Sequence, residues 1–247
     1  MVVLRDEKRV ARLARLGQVL SLAGLATLVL GLLVIFIGQS NLIFIYQLVA
    51  LAAGFALSQI GLYYTHRYQR QPRPDEVLDR AAGKYAHKNG RMYHYELPAD
   101  HVLLLPSAVI VFITKFQGGN ITANGDNWQQ TGLGLRGWFG QERLGNPTND
   151  ADKAMGKMRA FIASHAPEAV DVPFFPIIVF TSETIGDLDV AKSNIPAMYH
   201  KKLTGYLRQR KDLQKAMPIE AYDALREAFD AEAANLIEET VDQEDSE

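Results

Sequence analysis

The feature that most constrains this chain is a long segment without any charged side chain. No Asp, Glu, Lys, Arg or His occurs from Leu16 to Thr65, and a polar break at residues 39–41 divides this segment into two apolar halves. A helix without a polar face is not suited to the surface of a soluble protein. Each half is long enough to cross the hydrocarbon core of a bilayer, about 30 Å thick, as a helix. The sequence therefore predicts membrane helices over 17–38 and 42–64.

These two helices should form a hairpin, because only residues 39–41 separate them. A secretory signal does not fit the first helix, since its apolar core is too long and a second span follows directly. Positive or titratable side chains flank the hairpin on both sides: Arg5, Lys8, Arg9, Arg12 and Arg15 before it, and His66, Arg67, Arg70 and Arg73 after it. The connecting turn carries no positive charge. The positive-inside rule then predicts a plasma-membrane protein with two spans, whose basic N-terminus (1–16) and soluble domain are cytoplasmic.

Small residues mark one face of the second predicted helix. They are Ala50, Gly54, Ser58 and Gly61. Such a face lets two helices approach closely in a membrane. Two interpretations stay open: the face packs on the first helix of the same chain, or it packs on a second copy and makes a homo-oligomer. The lipid bilayer is the partner that both interpretations share.

The chain changes character after a polar, proline-bearing linker at 65–74. A helical pattern is followed by short apolar strands, a hairpin, a second helical pattern and a further apolar strand, which is an α/β order. We expect an α/β domain over 75–185, a C-terminal helical region over 186–240 and an acidic tail over 241–247.

The charge of the soluble part is unevenly distributed. Residues 66–219 hold 20 Lys and Arg against 15 Asp and Glu, whereas the residues from 220 onward are strongly acidic. A basic helical surface is predicted from Lys201, Lys202, Arg208, Arg210 and Lys211. This surface is a candidate to contact nucleic-acid phosphate or the anionic inner leaflet, or it is simply the solvated face of a helix.

The most informative local pattern lies at two neighbouring apolar strands. Asp100 enters the first strand, and Lys115 ends the second, with Ile113 two positions before the lysine. An acid, followed one strand later by an acid-x-lysine sequence, is how one large class of nucleases holds a metal and a phosphate. Here the lysine is present and the second acid is replaced by Ile113.

Further landmarks occur in a matching order. They are Glu76 in the first helix, the pair Asp100-His101, Thr114-Lys115 followed by Gly118 and Gly119, Trp128, and Asn146-Pro147 opening a helix. In this order the chain resembles the nuclease-related domain, or NERD, over about residues 74–182. The resemblance implies a PD-(D/E)xK nuclease-like fold. The expected fold class is therefore α/β, with an N-terminal transmembrane hairpin, a restriction-endonuclease-like α/β domain and C-terminal helices.

Two departures from the family pattern bear on activity. Ile113 stands where the family has its metal-binding Glu, and Asp150 stands where the helix has Gln. Because Mg²⁺ prefers several oxygen ligands, Asp100 alone makes a poor site. Glu76, Glu96 and Asp150 are the acids that would have to substitute.

The pattern favours a membrane-anchored, cytoplasmic, NERD-like domain that works as a non-catalytic binding or regulatory module with an unidentified protein partner and no cofactor. One alternative is a Mg²⁺-dependent nuclease with a relocated acidic ligand, in which Asp100 and Lys115 are catalytic and Asp100 binds the metal. Another alternative is a membrane-tethered nucleic-acid-binding protein.

Overall fold

The computed structural model describes residues 1–36, 40–134, 143–234 and 236, and these residues form two compact units. One unit contains Met1–Asp6 together with the described residues from Pro74 onward, and the other contains Glu7–Arg73. The predicted acidic tail at 241–247 lies outside the described residues, as do positions 37 and 38 of the first predicted span and position 39 of the predicted turn.

The second unit is a pair of long apolar helices. Helix α1 (Glu7–Leu33) ends in a single 3-10 turn, and α2 (Asn41–Tyr64) begins after Ser40, whose Oγ accepts a hydrogen bond from Ile43 N (3.3 Å). Both helices are long and apolar enough to cross a membrane, and only 11% and 6% of their most apolar windows are buried in the structure. They are thus unlike the buried core helix of a soluble protein. Helix α1 starts ten residues before the predicted span, because the basic flank continues the same helix.

Close backbone packing holds the two helices together. The seam consists of small residues: Gly17, Gly24 and Gly31 on α1, and Ala50, Gly54, Ser58 and Gly61 on α2. A Cβ atom added at Gly24 would lie 2.6 Å from the backbone N of Ser58, and one at Gly61 would lie 2.4 Å from the backbone N of Ser21. The small face predicted on α2 therefore packs on α1 of the same chain.

The first unit contains two sheets, whose strands we number in chain order. They are β1 (Val2–Arg5), β2 (Arg91–His94), β3 (His101–Leu105), β4 (Ala108–Lys115), β5 (Gly119–Gly125), β6 (Asn127–Thr131), β7 (Phe174–Phe180), β8 (Ile185–Ser193) and β9 (Ala197–Tyr199). The main sheet has the order β1-β2-β3-β4-β7-β9, and the smaller one has the order β6-β5-β8. In the main sheet β3 is antiparallel to β2 and β4, and the other neighbouring pairs are parallel.

Helices cover both faces of the main sheet. Helices α3 (Pro74–Ala86) and α5 (His200–Gln209) pack on one face, and α4 (Pro147–His165) and α6 (Ile219–Glu232) pack on the other. Side chains of β4 alternate between these two cores: Phe112 contributes to the α3–α5 side, and Val111 and Ile113 contribute to the α4–α6 side. A strand buried on both faces explains the continuous apolar sequence of β4. The predicted α/β class, with two apolar N-terminal helices and C-terminal helices, is confirmed.

Three strands occur where the sequence did not predict them. Strand β1 lies inside the predicted basic N-terminus, and β8 and β9 lie in the region predicted to be helical over 186–240. Strand β8 has its acidic side chains, Asp187 and Asp189, exposed, and acids are depleted in strands overall. Strand β9 has only three residues, too few for a recognisable period.

Candidate functional site

The candidate site lies at one end of the main sheet, where β3 begins and β4 ends. Val102 pairs with Val111, so the antiparallel register places Asp100 beside Ile113. Lys115 is the last residue of β4 and pairs with Phe180 at the end of β7. The predicted spacing of acid and lysine therefore brings both residues to the same end of the sheet.

Lys115 is held by two oxygen atoms. Its Nζ donates to Asp150 Oδ2 (2.6 Å) and to the backbone O of Leu144 (3.2 Å), and only 11% of its side chain is exposed. Asp150 lies in the first turn of α4, which begins as predicted at Asn146-Pro147: Asn146 Oδ1 caps the helix by accepting hydrogen bonds from the next two N–H groups. An acid is stabilised in a first helical turn, where the helix dipole is positive. The strand end and the helix start thus supply the two halves of an ion pair.

Ile113 occupies the position that the family resemblance assigns to a metal-binding Glu. Its exposed fraction is 9%, and it belongs to the apolar core between the sheet and α4. An aliphatic side chain supplies no electron pair to a cation. The replacement of the expected Glu by Ile113, evident in the sequence, thus places an apolar contact at this position of the fold.

The other predicted acids are spread around this end of the domain. Asp100 is exposed, and its backbone O accepts a hydrogen bond from Tyr95 N (2.7 Å). Glu96 lies half-buried in the turn before it. Glu76 belongs to α3 and Asp150 to α4, and these helices pack on opposite faces of the sheet. Within the described ranges, no group of three or more His, Cys, Asp or Glu is arranged to hold a metal ion. Within the described part of the chain, the acids around Asp100 therefore offer too few ligands for Mg²⁺.

The surroundings of Lys115 include polar residues to which the sequence analysis gave no role. Gln117 is 1% exposed, and its Nε2 donates to the backbone O of Arg143 (3.4 Å), while its Oε1 has no hydrogen-bond partner among the residues that the structure describes. Gln130 accepts from the backbone N of Leu144 (3.0 Å). These amides fix the segment that supplies a carbonyl to Lys115. In the sequence, the only indication that Gln117 helps to build the site is its position two residues beyond Lys115.

The landmark tryptophan joins the small hairpin to α4. Trp128 lies on β6, and its Nε1 donates to Thr148 Oγ1 (2.8 Å) in the first turn of α4. Its ring lies 6.2 Å, centroid to centroid, from that of Phe180. Trp128 therefore helps to position the helix that carries Asp150.

A second polar cluster lies at the same sheet end, on the neighbouring strands. His94 Nδ1 and His101 Nδ1 are 2.9 Å apart, and His94 Nε2 is 2.9 Å from Asp79 Oδ1. Arg5 Nη1 lies 3.0 Å from Asp79 Oδ2 and 2.9 Å from Asp75 Oδ2. Both imidazoles are buried. This cluster ties the N-terminal strand to α3, β2 and β3, and the seven-residue spacing of the histidines gave no indication of it.

The predicted basic residues differ in their environments. Lys201, Lys202 and Arg208 are exposed on α5, and Lys211 is exposed after it. Arg210 instead forms an ion pair with Asp212 and lies over the ring of Phe175 (4.2 Å to the centroid). The hydrogen bonds that Arg210 donates to Asp212 raise the pKa of Arg210 above its ordinary value, although partial burial opposes this. Arg210 is therefore engaged within the domain.

Comparison with known families agrees with the order of landmarks. Residues 76–181 match the family model of the nuclease-related domain, NERD. No curated protein and no solved structure matched the chain. The resemblance predicted from the sequence is thus confirmed for the central part of the first unit.

Proposed function

We propose that this nuclease-related domain is anchored to the cytoplasmic face of a membrane and works there as a binding or regulatory module without efficient nuclease activity. The observation that carries the proposal is the apolar environment of Ile113. A metal-dependent nuclease needs oxygen ligands at the point where the phosphate is attacked. Ile113 supplies none, and filling its place with water would require a cavity in the α4 core.

The ion pair of Lys115 supports the same conclusion. In a nuclease of this class the lysine would face a phosphate or an attacking water molecule. Here its ammonium group is hydrogen-bonded to Asp150 and to a backbone carbonyl, so its charge is already neutralised within the domain. A substrate would have to displace the Asp150 carboxylate before it met this charge.

Membrane anchoring is supported by three observations. The apolar helices are long enough to span a bilayer, their flanks are basic, and their connection is uncharged. Strand β1, which precedes α1, pairs with β2, which follows α2. Since one sheet cannot lie on two sides of a membrane, the hairpin would cross it an even number of times. Basic flanks then favour the cytoplasm for the soluble unit.

One observation favours a second candidate function, a nuclease with a relocated acid. The Asp150 carboxylate lies within hydrogen-bond distance of Lys115, which is the lysine of the family motif. Helix α4 thus supplies an acid beside Lys115, whereas the family pattern has its acid on the same strand as the lysine.

A nuclease assay separates the two functions. We expect the purified full-length chain in detergent micelles to release no DNA or RNA fragments, with Mg²⁺ or Mn²⁺, beyond the background of Asp100→Ala and Lys115→Ala. Asp152→Ala serves as a control, because Asp152 is exposed on α4. Metal-dependent cleavage that both variants lose and Asp152→Ala keeps would contradict the proposal. Salt-dependent DNA binding without cleavage would assign the module to nucleic acid.

A further inference from the structure

A strip of positive charge runs along the exposed edges of α3 and α5. Thr204 Oγ1 donates to the backbone O of Ala81 (2.6 Å), which fixes the two helices side by side. The exposed cations along this contact are Arg80 and Lys84 from α3, and Lys201 and Arg208 from α5. We call these four residues the α3–α5 basic strip. Two helices that are far apart in the sequence build it, so the sequence pattern of α5 alone showed only half of it.

Contacts and electrostatics show that the two halves of the strip are close together. Arg208 Nη2 donates to the backbone O of Lys84 (3.5 Å). At the other end, partial burial lowers the pKa of His200, and the charges of Lys201 and Arg80 lower it further, while Glu183 opposes them. His200 is thus within electrostatic range of both cations. The four cations therefore lie close together, with Glu183 near His200 at one end and Asp212 near Tyr85 of α3 at the other.

The strip begins at a particular end of the main sheet. Tyr199, directly before α5, pairs with Phe180, which pairs with Lys115. Arg5, the last residue of β1, pairs with His94 at that same end. The chain leaves the first unit after β1 and re-enters it at the start of α3, whose Asp75 forms an ion pair with Arg5. Both covalent connections to the apolar helices thus leave from the sheet end where the strip starts.

We propose that the α3–α5 basic strip binds the anionic phosphate headgroups of the membrane that holds the helical hairpin. The inference rests on the proposed anchoring. Only residues 65–73 separate α2 from α3, and a chain of this length spans at most about 30 Å. The tether therefore keeps anionic headgroups at a high local concentration. Attraction between basic side chains and an anionic leaflet acts over about one Debye length, roughly 8 Å at physiological salt.

The chain allows a single fluorescent label to be placed for the test. It contains no cysteine, and a Cβ atom at Gly205 of α5 would meet nothing within 4 Å. Full-length Gly205→Cys carrying a fluorescent donor is reconstituted in nanodiscs with acceptor-labelled headgroups. The nanodiscs contain either phosphatidylcholine alone or phosphatidylcholine with phosphatidylglycerol.

We expect more energy transfer in the anionic nanodiscs, and loss of this increase at high salt. The increase should also disappear in Arg80→Glu/Lys201→Glu, because each basic residue near an anionic surface changes binding about five-fold. The matched control is Lys153→Glu/Lys157→Glu, which reverses two exposed charges one turn apart on α4. The control should keep the increase.

Equal transfer in both lipids, or equal loss in the control, would overturn the inference. So would loss of the increase on adding free inorganic phosphate at constant ionic strength, because a soluble anion would then be the ligand. Binding of an oligonucleotide that depends on Arg80 and Lys201, with no lipid effect, would assign the strip to nucleic acid instead. A chain that does not enter nanodiscs would refute the anchoring, whereas insertion without a lipid effect refutes only the headgroup contact.

Discussion

At the scale of single residues, the lysine that ends β4 illustrates what a sequence reveals and what it omits. The sequence predicted that Asp100 enters one strand and that Lys115 ends the next. Antiparallel pairing of these two strands across a tight turn brings both residues to one end of the sheet. The contact between Lys115 and Asp150 was not predictable in this way. It bridges 35 residues and depends on where α4 packs against the sheet. Asp150 was considered only as a substitute acid, and the structure shows it as the partner of the lysine.

Asp150→Asn should destabilise the folded protein. The substitution leaves the Lys115 ammonium, which is mostly buried, with weaker acceptors. Asp150 itself is 44% exposed, so we expect a loss of about 1–2 kcal/mol, between the values for surface and buried pairs. Chemical denaturation of the full-length chain in micelles would measure it. Asp152→Asn is the control, and an equal loss in both variants would show that the pair contributes no stability.

Arg5→Ala should lower the free energy of unfolding by more than Asp150→Asn does. Arg5 balances the carboxylate of Asp75, whose side chain is fully buried, and it also contacts Asp79. Removing one partner of a buried ion pair typically costs about 3 kcal/mol or more. Arg12→Ala is the matched control, because Arg12 is exposed and donates to the backbone of its own helix. Similar unfolding midpoints for the two variants would contradict the role of Arg5.

At the scale of elements, strands of continuous apolar sequence were predictable, and β1, β8 and β9 were not. Strands β3, β4 and β7 are mostly buried, and each appears in the sequence as an apolar run. Strands β1 and β9 lie at the two edges of the main sheet, and β8 lies at an edge of the smaller one. Strands β1 and β9 have only four and three residues, and β8 carries the exposed acids Asp187 and Asp189, so none of them shows a clear strand period. For this reason the domain was predicted to end at residue 185, before its last two strands.

Gly24→Leu should open the helical hairpin. A Cβ atom at Gly24 already meets the backbone of Ser58 at 2.6 Å, so a larger side chain forces the helices apart. Overpacking of this kind costs about 1–3 kcal/mol or more where the neighbour is backbone. We expect a lower aggregation temperature in micelles. Ala26→Leu, on the exposed side of α1, adds a comparable volume without this contact. Equal aggregation temperatures for Gly24→Leu and Ala26→Leu would show that the two helices can move apart at this seam without loss of stability.

At the scale of the whole molecule, β1 links the two ends of the hairpin. The sequence predicted the α/β class and the two apolar helices from composition and order alone. It did not predict that Val2–Arg5 precedes the apolar helices and yet pairs with Arg91–His94 after them. The interpretation of residues 1–16 as a basic flank was based on charge. A run of positive charges does not indicate that part of the segment forms a strand, or with which strand it pairs. If the hairpin crosses a membrane as proposed, the pairing of β1 with β2 requires an even number of crossings.

Cysteine labelling should reveal the side on which each segment lies. Asn41→Cys, at the exposed start of α2, should react with a membrane-impermeant maleimide in intact cells. Gly205→Cys in the soluble unit should react only after permeabilisation. The native chain provides a background without thiols. Labelling of Gly205→Cys in intact cells, with protection of Asn41→Cys, would reverse the proposed orientation.

The pairing of β1 with β2 also has a consequence for biosynthesis. The ribosome makes β1 first, and its partner emerges only after both apolar helices have been synthesised. A chain that threads its N-terminus across the bilayer, and leaves the remainder behind, lacks the strand that covers β2 and exposes an unpaired edge. It also leaves the buried Asp75 without its arginine. If the hairpin spans a membrane as proposed, we therefore expect the soluble unit to fold completely only when the N-terminus stays on the same side as the rest of that unit.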